Sequence, residues 1–242
     1  MLTYATFSIT ARCPETGQLG IAVATRVPAV GAAVPHVRAG VGAIASQATT
    51  NPYLGIDGLD LLEGGASAAQ ALDALVRWDP DQARRQVAIV DAAGRAAAHT
   101  GAATNEHAGH RLGDGVAIAG NLLEGPEVLD AMLEAFTTTH PAPSADDAPS
   151  LVLAERLLTA LAAGQAAGGD KRGKQSAALR VHATEAYALV DLRVDEHADP
   201  IPELERVYGV WREVMRPHLA ARPTRASLMA RGATERPQPP GR

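Results

Sequence analysis

Thr6-Phe7-Ser8-Ile9-Thr10-Ala11-Arg12-Cys13, then Pro14-Glu15-Thr16-Gly17, then Leu19-Gly20-Ile21-Ala22-Val23-Ala24: the fold class turns on this stretch. Phe7, Ile9 and Ala11 alternate with Thr6, Ser8 and Thr10, the two-residue period of a strand, and residues 19–24 form a short apolar run of strand length. The Pro-Glu-Thr-Gly between them is turn chemistry, so the segment predicts an antiparallel hairpin. If the loop closes symmetrically, Cys13 faces Gln18 and paired positions sum to 31. Thr6 then lies opposite Thr25, beside Arg26.

Downstream, the apolar run 41–46 is expected to join the same sheet. Helical spacing places helices around 58–63 and 68–78, the second carrying Ala71, Leu72, Leu75 and Val76 on one stripe with Ser67 as its N-cap. A second hairpin pairs 86–90 with 96–100 around Asp91-Ala92-Ala93-Gly94, and a strand follows at 116–119. Pro126 opens a helix through Phe136. Residues 137–149 read as a surface loop, and 151–163 as a helix ended by Gly164. Strands are expected near 177–181 and 187–191, then an amphipathic helix over 201–215 that turns Leu204, Val207, Tyr208 and Trp211 inward. Hairpins and helices in this order argue for an α+β fold with two antiparallel sheets covered by helices. No GxGxxG or Walker-type loop points to a parallel doubly wound sheet.

The chain has 242 residues, 46% hydrophobic and 20% charged, which suits one domain, 1–216, followed by a disordered Pro- and Arg-rich tail, 217–242. The formal charge is -5, but residues 212–242 hold seven Arg against Glu213 and Glu235, which sets the tail at +5 and the remainder at -10. So acidic a body is a poor partner for nucleic acid. Cys13 is the single cysteine, which argues for a reducing compartment. Neither a basic leader with an apolar core nor an 18-residue apolar run occurs, so the expectation is a cytoplasmic protein that does not span a membrane.

Several ordered motifs carry a resemblance. They are Thr6-Phe-Ser-Ile, Pro14-Glu-Thr-Gly17, Gly20-Ile-Ala-Val-Ala24, Arg38-Ala-Gly-Val-Gly42, Ala45-Ser-Gln-Ala48, Gly120-Asn-Leu-Leu123, the run Gly168 to Ala177, and Asp191-Leu-Arg-Val-Asp-Glu-His197. Over roughly Thr6 to Trp211 the chain resembles the bacterial family called domain of unknown function 1028. That family is grouped with the N-terminal nucleophile (Ntn) hydrolases. The resemblance implies a four-layer αββα sandwich and cleavage of amide bonds, in which the side chain of the first residue attacks and its free α-amine is the base. The family pattern begins Met-Thr-Phe-Ser-Ile. Here Met1-Leu-Thr-Tyr-Ala5 precedes the matching threonine, and Leu2 is too large for ordinary Met removal, so Thr6 would gain a free amine only by cleavage of the Ala5-Thr6 bond; a mis-set gene start or an inactive chain fits the same residues.

On that footing Thr6 is the candidate nucleophile. Arg26, brought close by the hairpin register, would lower the pKa of an α-amine that ordinarily titrates at about 7.7 to 8.0. Asn121, following a strand end, is a candidate oxyanion donor, and Gln47 occupies a comparable position. Asp170 with Arg172, among glycines and near Lys171 and Lys174, is a candidate clamp for a substrate carboxylate. The plainer alternatives are a strand-starting threonine, loop-capping amides and an exposed connection. Ser8 shares the face of Thr6. His99, His107 and His110 are expected in a loop rather than around a metal, and Cys13 lies too far along its strand to meet Thr25 or Arg26. Neither metal nor organic cofactor is expected. The favoured reading is hydrolysis of a small-molecule amide through a Thr ester, and homo-oligomers are compatible with it. The rival is a non-catalytic binding or assembly module on the same scaffold, its basic tail an adaptor for an acidic partner.

Overall fold

The computed structural model describes residues 3–4, 6–141 and 149–232. In chain order the elements are β1 (Thr3–Tyr4), β2 (Thr6–Arg12), β3 (Leu19–Thr25), β4 (Pro35–Arg38), β5 (Gly42–Thr49), α1 (Pro52–Glu63), α2 (Ala68–Trp78), β6 (Arg85–Asp91), β7 (Ala96–Thr100), β8 (Gly109–Gly113), β9 (Val116–Gly120), α3 (Glu127–Thr138), α4 (Val152–Ala166), β10 (Ser176–His182), β11 (Val190–Val194), α5 (Pro200–Leu219) and α6 (Arg225–Ala230). One sheet runs β11-β10-β3-β2-β9-β8. The other runs β1-β5-β6-β7, with β4 also on β5. Every pairing is antiparallel, so the fold is α+β with two antiparallel sheets and flanking helices. No helix among the described residues is long and apolar enough to cross a membrane.

The first hairpin has the expected register, Thr6 opposite Thr25 through Arg12 opposite Leu19. The third apolar run does not join that sheet. It forms β5 in the other one, because β3 already has β2 on one edge and β10 on the other, paired over seven positions. The loss of both edges sends the chain across to a second layer.

Three apolar clusters follow from the two faces of each sheet. Ile44, Val87 and Ile89 pack with Leu54 and Leu59 of α1 and with Ala71 and Leu75 of α2. Ile21 and Val23 of β3 meet Ala43 and Ala45 of β5 and Ala88 and Val90 of β6, so both sheets share one cluster. Phe7, Ile9, Ile118 and Leu179 pack with Met132 of α3, Leu157 and Leu161 of α4, and Leu204 and Tyr208 of α5.

Local chemistry accounts for several boundaries. Ser67 caps α2 and completes a capping box with Gln70. Ser67→Ala is therefore expected to cost about 1 kcal/mol, read from the midpoint of urea unfolding with an unchanged slope. Gly164 does not end α4. A Cβ there would sit 2.7 Å from Met132 Cγ, so the glycine lets α4 approach α3 closely, and the helix stops only before Gly168 and Gly169, both at positive φ. The strand expected at 187–191 begins three residues later, as β11. The reading missed β1, β4 and β8, the last of which, GHRLG, offers a single large apolar residue.

Chain beyond 216, expected as tail, continues α5 through Pro217 to Leu219 and then forms α6. Composition suggested disorder there, but Leu219 is buried, Tyr187 Oη donates to Pro223 O at 2.6 Å, and Arg222 stacks over the Tyr187 ring. Residues 233–242 of that tail and 142–148 of the expected surface loop lie outside the described residues.

Candidate active site

Alternation along β2 leaves Thr6, Ser8 and Thr10 on the face opposite Phe7 and Ile9. That face turns toward the second sheet rather than solvent, and all three residues are 0% exposed. Polar groups so enclosed need partners. Ser8 Oγ donates to Gln47 Oε1 on β5 at 2.7 Å, and Gln47 Nε2 donates to Gln86 Oε1 on β6 at 2.8 Å. Asn121 Nδ2 donates to the same Gln86 oxygen at 3.0 Å. Gln86 Nε2 donates to Gly120 O at 2.8 Å, to Gly109 O at 2.9 Å and to Thr100 Oγ1 at 3.0 Å.

The carbonyls of Gly109 and Gly120 fix the polarity of this network. They can only accept, so the amide nitrogen of Gln86 must face them, its oxygen must face Gln47 and Asn121, and those two must present nitrogen to it. Asn121 Oδ1 is thereby turned away from Gln86. It has no partner among the described residues, and neither has Thr6 Oγ1. The two residues are held together, because the Asn121 backbone N donates to Thr6 O at 3.0 Å and Gln47 Nε2 lies 3.4 Å from the same oxygen. Thr6, Gln47 and Asn121 thus meet in one buried cluster of polar groups that carry no net charge.

Arg26, Asp170 and Arg172 form a second group, at the surface end of β3. Asp170 is 3% exposed, and its carboxylate accepts from Arg26 N at 3.2 Å and from Arg172 N, Nε and Nη2 at 3.0, 3.1 and 2.8 Å. Arg26 Nη1 donates to Gln175 Oε1 at 2.6 Å. The Asp170 carboxylate is thus occupied in organising its own loop. The two groups are joined, since Gln175 N donates to Thr25 O and Lys171 N to Leu122 O, the residue after Asn121.

A family model described as a family of unknown function (DUF1028) matches residues 6–204. The chain belongs to the DUF1028 family. The crystal structure of protein SPO2555 from Silicibacter pomeroyi, of the same family, is 34% identical, with a TM-score of 0.76 over 86% of this chain and 89% of that one. Anbu (ancestral beta-subunit) from Yersinia bercovieri aligns over 90% of this chain and 98% of that one at 8% identity and a TM-score of 0.39. No curated protein matches the chain.

In this DUF1028 protein two non-glycine residues with left-handed backbone stand directly after the site amides, Ala48 after Gln47 and Leu122 after Asn121. Each conformation costs on the order of 1 kcal/mol, strain that aims the preceding side chain inward. Gln86 escaped the sequence reading. Its signal was a polar residue heading the apolar run Val87 to Val90, across the sheet from Gln47. The histidines are not gathered in one loop. His99 lies in β7 against Gln82 O, and His110 in β8 against Thr100 Oγ1. Cys13 sits at the far end of β2, its Sγ 3.1 Å from Glu15 Oε2.

His110, which closes the network behind Thr100, is held below the usual imidazole range by burial first and then by the charges of His99 and Arg111. Burial likewise lowers His36 and His182. The unfolded chain therefore takes up protons below about pH 6.5 that the folded one resists, so the stability these rings leave intact above that pH is lost as pH falls through their folded values. Thermal melts from pH 7.5 to 5 should show a falling Tm, and His182→Gln should flatten the fall. Asp79 and Asp91, both held low, titrate only below this window.

Proposed function

We propose that this chain is an Ntn amidohydrolase on a four-layer αββα sandwich, with Thr6 as nucleophile. The observation that carries the reading is the pair of buried oxygens, Thr6 Oγ1 and Asn121 Oδ1, that have no hydrogen-bond partner among the described residues, beside a network that satisfies the amides of Gln47 and Gln86. A buried hydroxyl without a partner costs stability, and a group of this kind beside an ordered amide network is a candidate for chemistry.

In this reading the Ala5-Thr6 bond is cleaved, with water consumed, and Thr6 gains a free α-amine. With substrate, the amine takes the proton from Oγ as Oγ bonds the acyl carbon, and the proton passes to the leaving nitrogen as the C–N bond breaks. Water then hydrolyses the ester, giving a carboxylic acid and an amine and restoring the hydroxyl. Asn121 contributes the second Nδ2 hydrogen to the oxyanion and Oδ1 as acceptor for the amine. Gln47 and Gln86 are positioning residues. Arg26, Asp170 and Arg172 form the rim, where the Arg26 cation disfavours a protonated amine.

The test is the intact mass of the purified chain. Loss of residues 1–5 agrees with the proposal, and a full-length chain inert to amide substrates contradicts it. The second reading, a binding or assembly module, is favoured by one observation, the complete enclosure of Thr6.

A further inference from the structure

We infer that the substrate of this site is an extended peptide whose acyl half pairs with the edge of β5 at Ala48 and Thr49. The inference rests on the Thr6 reading above and narrows its substrate class. β5 has two edges. One pairs with β6 from Gly42 to Ala48. The other pairs with β4 over Gly42 to Ala45 and then with β1, Tyr4 opposite Ala48 and Thr3 opposite Thr49. Thr3 and Tyr4 thus complete the second sheet, whereas Thr6, two residues on, begins β2 in the first. The strand register of β1 leads along β5 toward Gln47, whose side chain reaches Thr6 O.

Chemistry turns this pairing into a substrate statement. When Thr6 Oγ attacks the Ala5 carbonyl carbon, residues before Thr6 are the acyl half of the reacting amide. Any later substrate must bring its acyl carbon to the same oxygen, because the ester that forms is of the same kind. Its acyl half then lies where Thr3 and Tyr4 lie. That place offers a strand edge, with Gln47, Ala48 and Thr49 buried at 0%, 1% and 8% exposure. A strand edge recognises main-chain N–H and C=O groups, whatever the side chains. Departure of β1 uncovers these groups, and a small amide without a peptide backbone would leave them unpaired.

The test uses the processed protein, its loss of residues 1–5 verified by mass, and three fluorogenic 4-methylcoumarin amides. These are Met-Leu-Thr-Tyr-Ala-, the same pentapeptide N-methylated at Thr and Tyr, and acetyl-Ala-. The expected result is a kcat/KM for the pentapeptide about 100-fold above acetyl-Ala, the yield of two or three backbone bonds, with N-methylation removing most of the gain through KM. Equal rates for the three amides, or no binding of the free pentapeptide acid by a processed chain, would overturn the inference and leave the Thr6 reading standing. A chain that is never processed removes both.

Discussion

Thr6→Ala yields a chain that keeps residues 1–5 and loses amide hydrolysis by a factor of about 10⁴, since the attacking oxygen is gone and no neighbour replaces it. Thr6→Ser, which keeps a hydroxyl, retains both cleavage and turnover. The same substitution to Ala carries a second, opposite expectation. Thr6 Oγ1 is buried without a partner among the described residues, so deleting it removes an unsatisfied group, and Tm should hold or rise. A structural threonine would behave the other way. Intact mass, hydrolysis of the pentapeptide amide and a thermal melt on one preparation separate the two cases. A destabilised Thr6→Ala variant beside an unprocessed parent would end the nucleophile proposal.

Arg85→Ala is expected to cost about 3 to 5 kcal/mol, the largest stability loss anticipated for a single side chain here. Arg85 is enclosed at the start of β6, where Nε donates to Asp79 Oδ2 at 2.8 Å, Nη2 to Asp79 Oδ1 at 3.3 Å, and Nη1 to Thr49 O at 2.5 Å. Burial pushes the Asp79 carboxyl up, but bonds from Arg85, Asn51 and the Asp81 backbone outweigh it and hold the group below the usual carboxylate range. In the parent, the contribution of Asp79 is present above about pH 4 and lost as pH falls through its folded value. Without Arg85 the balance reverses, because a buried carboxyl lacking its cation resists ionisation, and the deficit of the variant relative to the parent grows as pH rises. Guanidinium titrations at pH 5 and 8 check the sign. The double variant Asp79→Asn, Arg85→Met should recover part of the loss. Thr49 also carries β1, so Arg85→Ala should slow processing at Ala5-Thr6 as well.

The first hairpin was fully legible, because a short turn of known chemistry fixes its register and with it the neighbours Thr6, Thr25 and Arg26. The capping of α2 was equally local. The sheet to which β5 belongs was not, because β3 loses its second edge to β10, about 150 residues further along the chain. Motifs suggested Asp170 and Arg172, yet the contact of Asp170 with Arg26 depends on that same distant pairing. Gln86 stood out only as a polar residue heading an apolar run, and its role was not legible because that comes from the direction of two backbone carbonyls on other strands. The helical end of the chain was misread on composition, which carries no sign of the stacking between Arg222 and Tyr187.

The inner and outer parts of the site differ in one physical respect. Gln47, Gln86 and Asn121 bond as neutral dipoles over short distances, so dissolved ions have no lever on them, whereas the exposed guanidinium groups of Arg26 and Arg172 stand near solvent. Added salt should accordingly change how fast a charged molecule arrives and leave the rate of the bond-breaking step where it was.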